Sequence, residues 1–257
     1  MTDYIKDGLL FCARCNTPKE VEVTLFGEKK KVRCLCRCGQ AALERRREKE
    51  RLEEEQRRIQ RLRMMGFPDS ELASSTFEND DHSNERLTRI AKNYVENFDE
   101  MLKQGKGLLL FGSVGTGKTF ISACIANALI DRGHPCMVTN FSRLTNTLQG
   151  MQEKQSYLDR LCRFHLLVID DLASERDTEY MGEIVQSIID ARYRSKKPLI
   201  VTTNLTSDEL KHPAEIRKQR IYSRLFEMCV PVEVKGKDRR KEKLKEEYQT
   251  MREMLEI

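Results

Sequence analysis

The chain has no long apolar run. No stretch approaches the ~18 apolar residues of a membrane-spanning helix, and no N-terminal apolar segment has the pattern of a secretory leader. These absences predict a soluble, cytoplasmic protein with no membrane partner. A strong charge of either sign is missing too: 46 Lys and Arg stand against 41 Asp and Glu, a formal +5. That balance permits contact with nucleic acid without demanding it. No internal repeat is visible. Length, 257 residues, leaves room for one α/β domain of ordinary size and a small appendage. Nine cysteines would suggest disulfides in a secreted chain. Five of them crowd into residues 12–38, and a nucleotide-binding pattern follows, so reduced thiols in a cytosol fit better.

That pattern is Gly112, Ser113, Val114, Gly115, Thr116, Gly117, Lys118 and Thr119, directly after the apolar run 108–111. It matches the phosphate-binding loop G-x-x-x-x-G-K-[ST] in the setting the motif needs, a buried strand feeding a loop that opens a helix. Glycines let backbone N–H groups curl round a polyphosphate, and the helix N-terminus adds partial positive charge. Lys118 is expected to reach the β- and γ-phosphates of ATP, and the Thr119 hydroxyl to ligate Mg²⁺.

Three zones differ in composition. Residues 1–40 hold the cysteine cluster and two β-like runs, 21–26 and 31–35, joined by a turn at Gly27. Residues 41–65 read as a densely charged helix whose apolar positions Leu52, Ile59 and Leu62 form only a thin stripe, a largely solvated spacer ended by Gly66-Phe67-Pro68. From about residue 76 the pattern is α/β. A helix over 85–103 precedes the strand 108–111, and the loop opens a helix over 118–131 with Ile121, Ile125, Ala128 and Leu129 inward. A strand follows at 136–139, a helix at 142–148 and a polar loop, then a strand at 166–169, a helix over 178–193 and a strand at 199–203. Strands alternating with helices predict a parallel sheet covered on both faces. The expected division is a zinc-binding module at 1–40, a charged helix and linker at 41–75, and an ATPase domain at 76–257.

The strand at 166–169 runs into Asp170-Asp171, the second element a phosphate-loop NTPase requires. Asp170 is expected to hold Mg²⁺ beside Thr119, and Asp171 to orient or deprotonate an attacking water. The strand 199–203 ends in Asn204, placed by sheet topology at the carboxyl-end site between the acids and the γ-phosphate. Arg220 and Arg224, four apart, share one helix face.

Cys12 and Cys15 are spaced by two residues, and Cys34, Cys36 and Cys38 follow an eighteen-residue hairpin segment. Two short turns joined by a hairpin can set four thiolates round Zn²⁺. Gly39 after Cys38 favours Cys38 as a ligand. The expected set is Cys12, Cys15, Cys36 and Cys38, with Cys34 as the alternate to Cys36. Cys124, Cys136, Cys162 and Cys229 read as core residues.

In order and spacing the segments GSVGTGKT at 112–119, LLVIDDL at 166–172, IVTTNL at 200–205 and RIYSRL at 220–225 resemble the AAA+ ATPases of the DnaC/DnaI helicase-loader group, with the related transposition helper IstB. The resemblance covers roughly residues 76–235. It implies an AAA+ core without the usual helical lid or sensor-2 arginine, and an aromatic near the adenine at Phe77. It implies sensor 1 at Asn204 and an arginine finger at Arg224, with Arg220 its companion, reaching a neighbouring subunit's γ-phosphate. Asp171 departs from the glutamate of most AAA+ proteins, although Asp-Asp is familiar in this subgroup. The implied function is loading of a hexameric DnaB-type helicase onto single-stranded DNA, with self-association through the finger and hydrolysis timing release. The alternatives are a transposition helper, and a zinc-stabilised DNA or protein adaptor whose ATPase is weak. A small-molecule kinase ranks last, for want of an arginine-rich lid. The basic run 235–241 reads as a soluble end.

Overall fold

The computed structural model describes residues 2–68, 70–173 and 179–255. Two compact units emerge, one reaching to Arg58 and the other starting at Ile59.

In the first unit, β1 (Tyr4–Lys6) and β2 (Leu9–Phe11) pair antiparallel, as do β3 (Glu20–Leu25) and β4 (Glu28–Arg33). The first hairpin was not expected. Its signal was Asp7-Gly8, both with positive φ, the pair that a tight two-residue turn favours. In the second, Phe26-Gly27 makes the turn, so β4 starts at residue 28 rather than 31. A two-residue turn pairs the strands at once. Helix α1 (Arg37–Gly66) begins earlier than expected and takes Cys38 into its first turn. Exposed pairs such as Arg46–Glu50 (2.8 Å) and Arg51–Glu48 (2.7 Å) lace its surface, each worth a few tenths of a kcal/mol.

The second unit takes in the end of α1. Ile59 and Leu62 pack against its apolar layer, so that part of the helix is not a solvated spacer. Next come α2 (Ser70–Ala73) and a 3₁₀ turn at Phe77–Asn79. The helix expected at 85–103 is two: α3 (Glu85–Glu96), capped by the Asn84 side chain, and α4 (Phe98–Gln104). Asn97 separates them, donating from its side chain to the Asn93 carbonyl at 2.8 Å. Then follow β5 (Gly107–Phe111), α5 (Lys118–Asp131), β6 (Cys136–Asn140), α6 (Phe141–Gln149), α7 (Lys154–Leu161) and β7 (Leu166–Leu172). After these come α8 (Glu179–Ser195), β8 (Leu199–Thr203), α9 (Ser207–Lys211), α10 (Ile216–Met228), β9 (Cys229–Glu233) and α11 (Arg239–Leu255). Helix α7 occupies part of the expected polar loop, and α11 replaces much of the expected soluble end. Residue 178, where the α8 segment was expected to begin, lies outside the described residues.

Strands β5 to β9 form one parallel sheet in the order β6-β7-β8-β5-β9. Counted from β5 as the first, that is 5-1-4-3-2. Period-two alternation sends Leu108 and Leu110 to one apolar layer and Leu109 and Phe111 to the other. Helices α3 and α5 cover the first layer, and α6, α7, α8 and α10 the second. The expected buried face of α5 is broader than a stripe: Ile121, Ile125 and Leu129 are buried as read, together with Cys124 and Ile130, while Ala128 is only half-buried. Cys124, Cys136 and Cys229 are buried, and burial pushes each thiol up to about 12. These are inert packing residues. Cys162 packs half-buried against the second layer.

Arg192 is 1% exposed on α8. Its guanidinium donates to the carbonyls of Phe164 and His165, each at 2.9 Å, and of Pro198 at 2.5 Å, tying the entries of β7 and β8 together. Beside it, His134 and His165 face each other Nδ1 to Nδ1 at 3.2 Å, so one ring must accept while the other donates. Burial first, then the charges of His134, Lys197 and Arg192, hold the His165 imidazole below its ordinary 6.5. The unfolded chain therefore takes up a proton that the folded one resists. The contact contributes its full stability above about pH 6.5 and loses it as pH falls toward the folded value. Thermal melts between pH 7.5 and 5 should show a steeper acid loss for the wild type than for His165→Gln. Parallel curves would contradict this.

Candidate nucleotide site

Strand β5 ends in the loop 112–117, and Lys118 opens α5. Gly112 and Gly117 have φ of 133° and 89°, where L side chains are strained. A Cβ on Gly112 would also stand 2.5 Å from the Val234 carbonyl. The backbone therefore closes into a cradle that only glycine permits. Lys118 is buried, its Nζ donating to the carbonyls of Gly112 (2.8 Å) and Ser113 (2.7 Å) and to Asn204 Oδ1 (2.9 Å). Burial lowers its pKa, while Asp170 and Asp171 oppose that shift.

The acids are set by β7. Thr119 Oγ1 donates to Asp170 Oδ1 at 2.8 Å and lies 3.0 Å from Oδ2. Thr202 Oγ1 on β8 donates to Asp170 Oδ1 at 2.5 Å and accepts from the Asp171 backbone N–H at 2.9 Å. Consecutive residues of a regular strand point to opposite faces. Here the β7–β8 register shifts between Ile169 and Leu172, and Asp171 takes a φ of 62°. The bulge turns Asp171 back, so both acids line one cleft. A non-glycine residue in that conformation costs on the order of 1 kcal/mol. Asn204 completes the chain of contacts: its Oδ1 accepts from Lys118, and its Nδ2 donates to Asp171 Oδ1 at 3.1 Å.

The cleft measures about 370 Å³, and residues 114–119 form its floor with Asp170, Asp171, Thr202 and Asn204. A glycine-lined cradle, a lysine and a helix N-terminus fit a nucleotide polyphosphate. The Thr119 hydroxyl with the Asp170 carboxylate is a hard-oxygen donor pair of the kind Mg²⁺ takes. Gly112 and Ser113 contribute carbonyls to Lys118 without lining the cleft. Phe77 packs half-buried against the apolar layer with Lys92 Nζ 5.7 Å from its ring centre. Asn79 and Asp81 of the same segment, not Phe77, line the cleft. The sequence reading missed these two, as well as Thr202, Arg239 and Arg240. Thr202 was legible as the polar residue two before Asn204 on a strand of period two, whereas the arginines lie about 120 residues from the loop and carry no local signal.

Arg220 and Arg224 lie on α10 and line a separate surface depression with Gln186 and Glu227. Arg224 forms an ion pair with Asp190 of α8, its guanidinium 5.8 Å from the Tyr193 ring centre. Neither arginine lines the cleft of its own chain. In the first unit, the Sγ atoms of Cys12, Cys15, Cys36 and Cys38 all lie within 4.8 Å of one another. A tetrahedral zinc thiolate site with ~2.3 Å bonds has sulfurs roughly 3.8 Å apart. The observed Cys12–Cys38 and Cys36–Cys38 separations are 3.5 and 3.4 Å, so the set fits that ion. Cys34 is outside the cluster, its thiol 3.6 Å from the Pro18 carbonyl.

A 5-1-4-3-2 parallel sheet with a phosphate loop after the first strand, two acids ending the third and an asparagine ending the fourth defines an AAA+ P-loop protein. The chain belongs to the IstB-like ATP binding protein family, whose model matches residues 39–247. It is 26% identical over 203 residues to the replicative helicase loader DnaI of Bacillus subtilis (strain 168), covering 73% of this chain and 65% of that protein. It is 30% identical over 126 residues to the replicative helicase loader DnaC of Escherichia coli (strain K12), covering 47% of this chain and 50% of that one. These alignments span less than two thirds of either relative. A crystal structure of DnaI superposes with a TM-score of 0.56 at 25% identity, covering 70% of this chain and 99% of that one. Among the described residues no helix is long and apolar enough to cross a membrane.

Thr202→Val keeps the shape of β8 but removes the hydroxyl that fixes both acids. The expected loss of stability is about 1 kcal/mol, together with a weaker Mg²⁺ dependence of ATP binding by calorimetry. An unchanged Mg²⁺ dependence would remove Thr202 from the site.

Proposed function

We propose that the protein is an ATP-hydrolysing loader that places a hexameric DnaB-type replicative helicase on single-stranded DNA in the cytoplasm. The observation that carries this reading is the alignment of its nucleotide-binding unit with two replicative helicase loaders. Those alignments favour it over a transposition helper. The linked Lys118–Asn204–Asp171 contacts favour a working ATPase over an adaptor.

In this reading the loop 112–117 and Lys118 hold the triphosphate, and Thr119 with Asp170 holds Mg²⁺. Mg²⁺, when bound, neutralises charge on the β- and γ-phosphates. Asp171, steadied by Asn204, orients the attacking water and accepts its proton. Arg224, with Arg220 beside it, serves the cleft of a neighbouring subunit, exchanging Asp190 for a γ-phosphate. Hydrolysis then depends on assembly, and its timing governs release from DNA. In the N-terminal unit Cys12, Cys15, Cys36 and Cys38 would hold Zn²⁺, which fastens segments that share little apolar core. That unit is the proposed helicase-docking module.

Full-length protein, and protein lacking residues 1–65, can be compared in pull-downs with the cognate helicase. Nucleotide-dependent capture by the full-length chain only is expected. No association in any nucleotide state would sink the loader reading. Elemental analysis should find one zinc per chain in wild type and Cys34→Ser, and little in Cys36→Ser. Equal zinc in both variants would refute the ligand set.

A further inference from the structure

The segment that follows β9 is bound to the nucleotide loop along its length. The Val234 N–H donates to the Phe111 carbonyl at 2.8 Å, Asn84 Nδ2 to the Lys235 carbonyl at 2.9 Å, and the Arg239 N–H to the Gly115 carbonyl at 3.0 Å. The Asp238 side chain occupies the space that a Cβ on Gly115 would need, and the Arg239 guanidinium stands 3.0 Å from the Cβ position of Gly117. Two glycines of the loop thus admit this segment, in addition to any phosphate.

The two arginines here differ in how their charge is used. Arg239 is half-buried, 3.0 Å from an Asp81 oxygen and 3.9 Å from one of Asp80. Asp80 is buried and accepts from Thr88 Oγ1 at 2.5 Å, so this end of the clamp is fixed. Arg240 lines the same cleft, is exposed, and has no carboxylate partner among the described residues. Its positive field reaches Lys118, adding to the stronger effect of burial in disfavouring that ammonium. Two cations converging on one cleft repel, and an anion between them removes the repulsion.

We propose that Arg240 is a phosphate-binding residue of the nucleotide site, held in place by the clamp of Arg239 on Asp81. Triphosphate binding and docking of the first turn of α11 then form one linked equilibrium, and the nucleotide state is transmitted to the C-terminal helix. The ligand is the triphosphate of a nucleoside rather than the diphosphate, because Arg240 acts toward Lys118, the residue that reaches the terminal phosphates. This inference rests on the nucleotide-binding reading above.

The test measures ATP and ADP affinity of the full-length protein by calorimetry, with hydrogen exchange over residues 234–255. Arg240→Ala should weaken ATP about tenfold, the scale of one charge-assisted hydrogen bond, and ADP by clearly less. Arg240→Lys should recover part of the loss. Asp81→Asn, at a side chain more than half exposed, should lower ATP affinity without moving the melting temperature. ATP should slow exchange at the start of α11 in wild type and not in Arg240→Ala. Wild-type ATP affinity in Arg240→Ala, with binding lost in Lys118→Ala, would overturn the proposal alone. Wild-type affinity in both variants would show the nucleotide site itself to be misassigned, and the proposal falls with it.

Discussion

Strand β8 lies between the strand that carries the phosphate loop and the strand that carries the two acids, and the side chains at its end fasten the two together. Thr202 holds Asp170 and the backbone of Asp171. Asn204 holds Lys118 and the carboxylate of Asp171. Without this inserted strand, β5 and β7 would be neighbours, with no room between loop and acids for a γ-phosphate and a water. The strand order is therefore a requirement of the chemistry as much as of packing. The sheet can meet it because both its faces are apolar and covered, so any order that buries them serves stability equally.

The site is polar and charged at the edge of that sheet, and its strain is local. Asp171 accepts an unfavourable backbone conformation so that two adjacent residues of one strand face one cleft. The conserved volume of the cradle comes from glycines at which any side chain would meet backbone or the segment from Val234 to Arg239. The chain supplies phosphate binding, metal ligands and water orientation from its own residues. The candidate charge-stabilising arginine, Arg224, instead faces away, resting on Asp190. An arginine stored on an acid in its own subunit is compatible with a site that a second subunit completes.

Much of this was legible in the sequence because the signals are local. The loop motif, the apolar strands that end in Asp-Asp and in Asn, and the cysteine spacings each occupy fewer than ten consecutive residues. The elements that escaped were set by distant contacts. Helix α7 and strand β9 have short, mixed patterns that acquire meaning only beside the sheet. Ile59 and Leu62 looked too sparse to bury until α5 and its neighbours gave them a surface. The run 235–241 is basic and polar, so by composition it reads as solvated. Its role at the cleft depends on Gly115, Gly117 and Asp81, more than 100 residues earlier in the chain. Phe77 failed for the converse reason: an aromatic beside a site is also an apolar residue, and here the apolar layer claims it.

The central claim is that one chain provides only part of a hydrolytic site. Steady-state ATP hydrolysis by Lys118→Ala and by Arg224→Ala, each alone and then mixed, tests it most directly. Each variant alone should be nearly inactive, and mixing should restore measurable turnover, because an intact loop from one subunit then meets an intact arginine from another. Wild-type turnover by Arg224→Ala alone, or no recovery in the mixture, would contradict the claim.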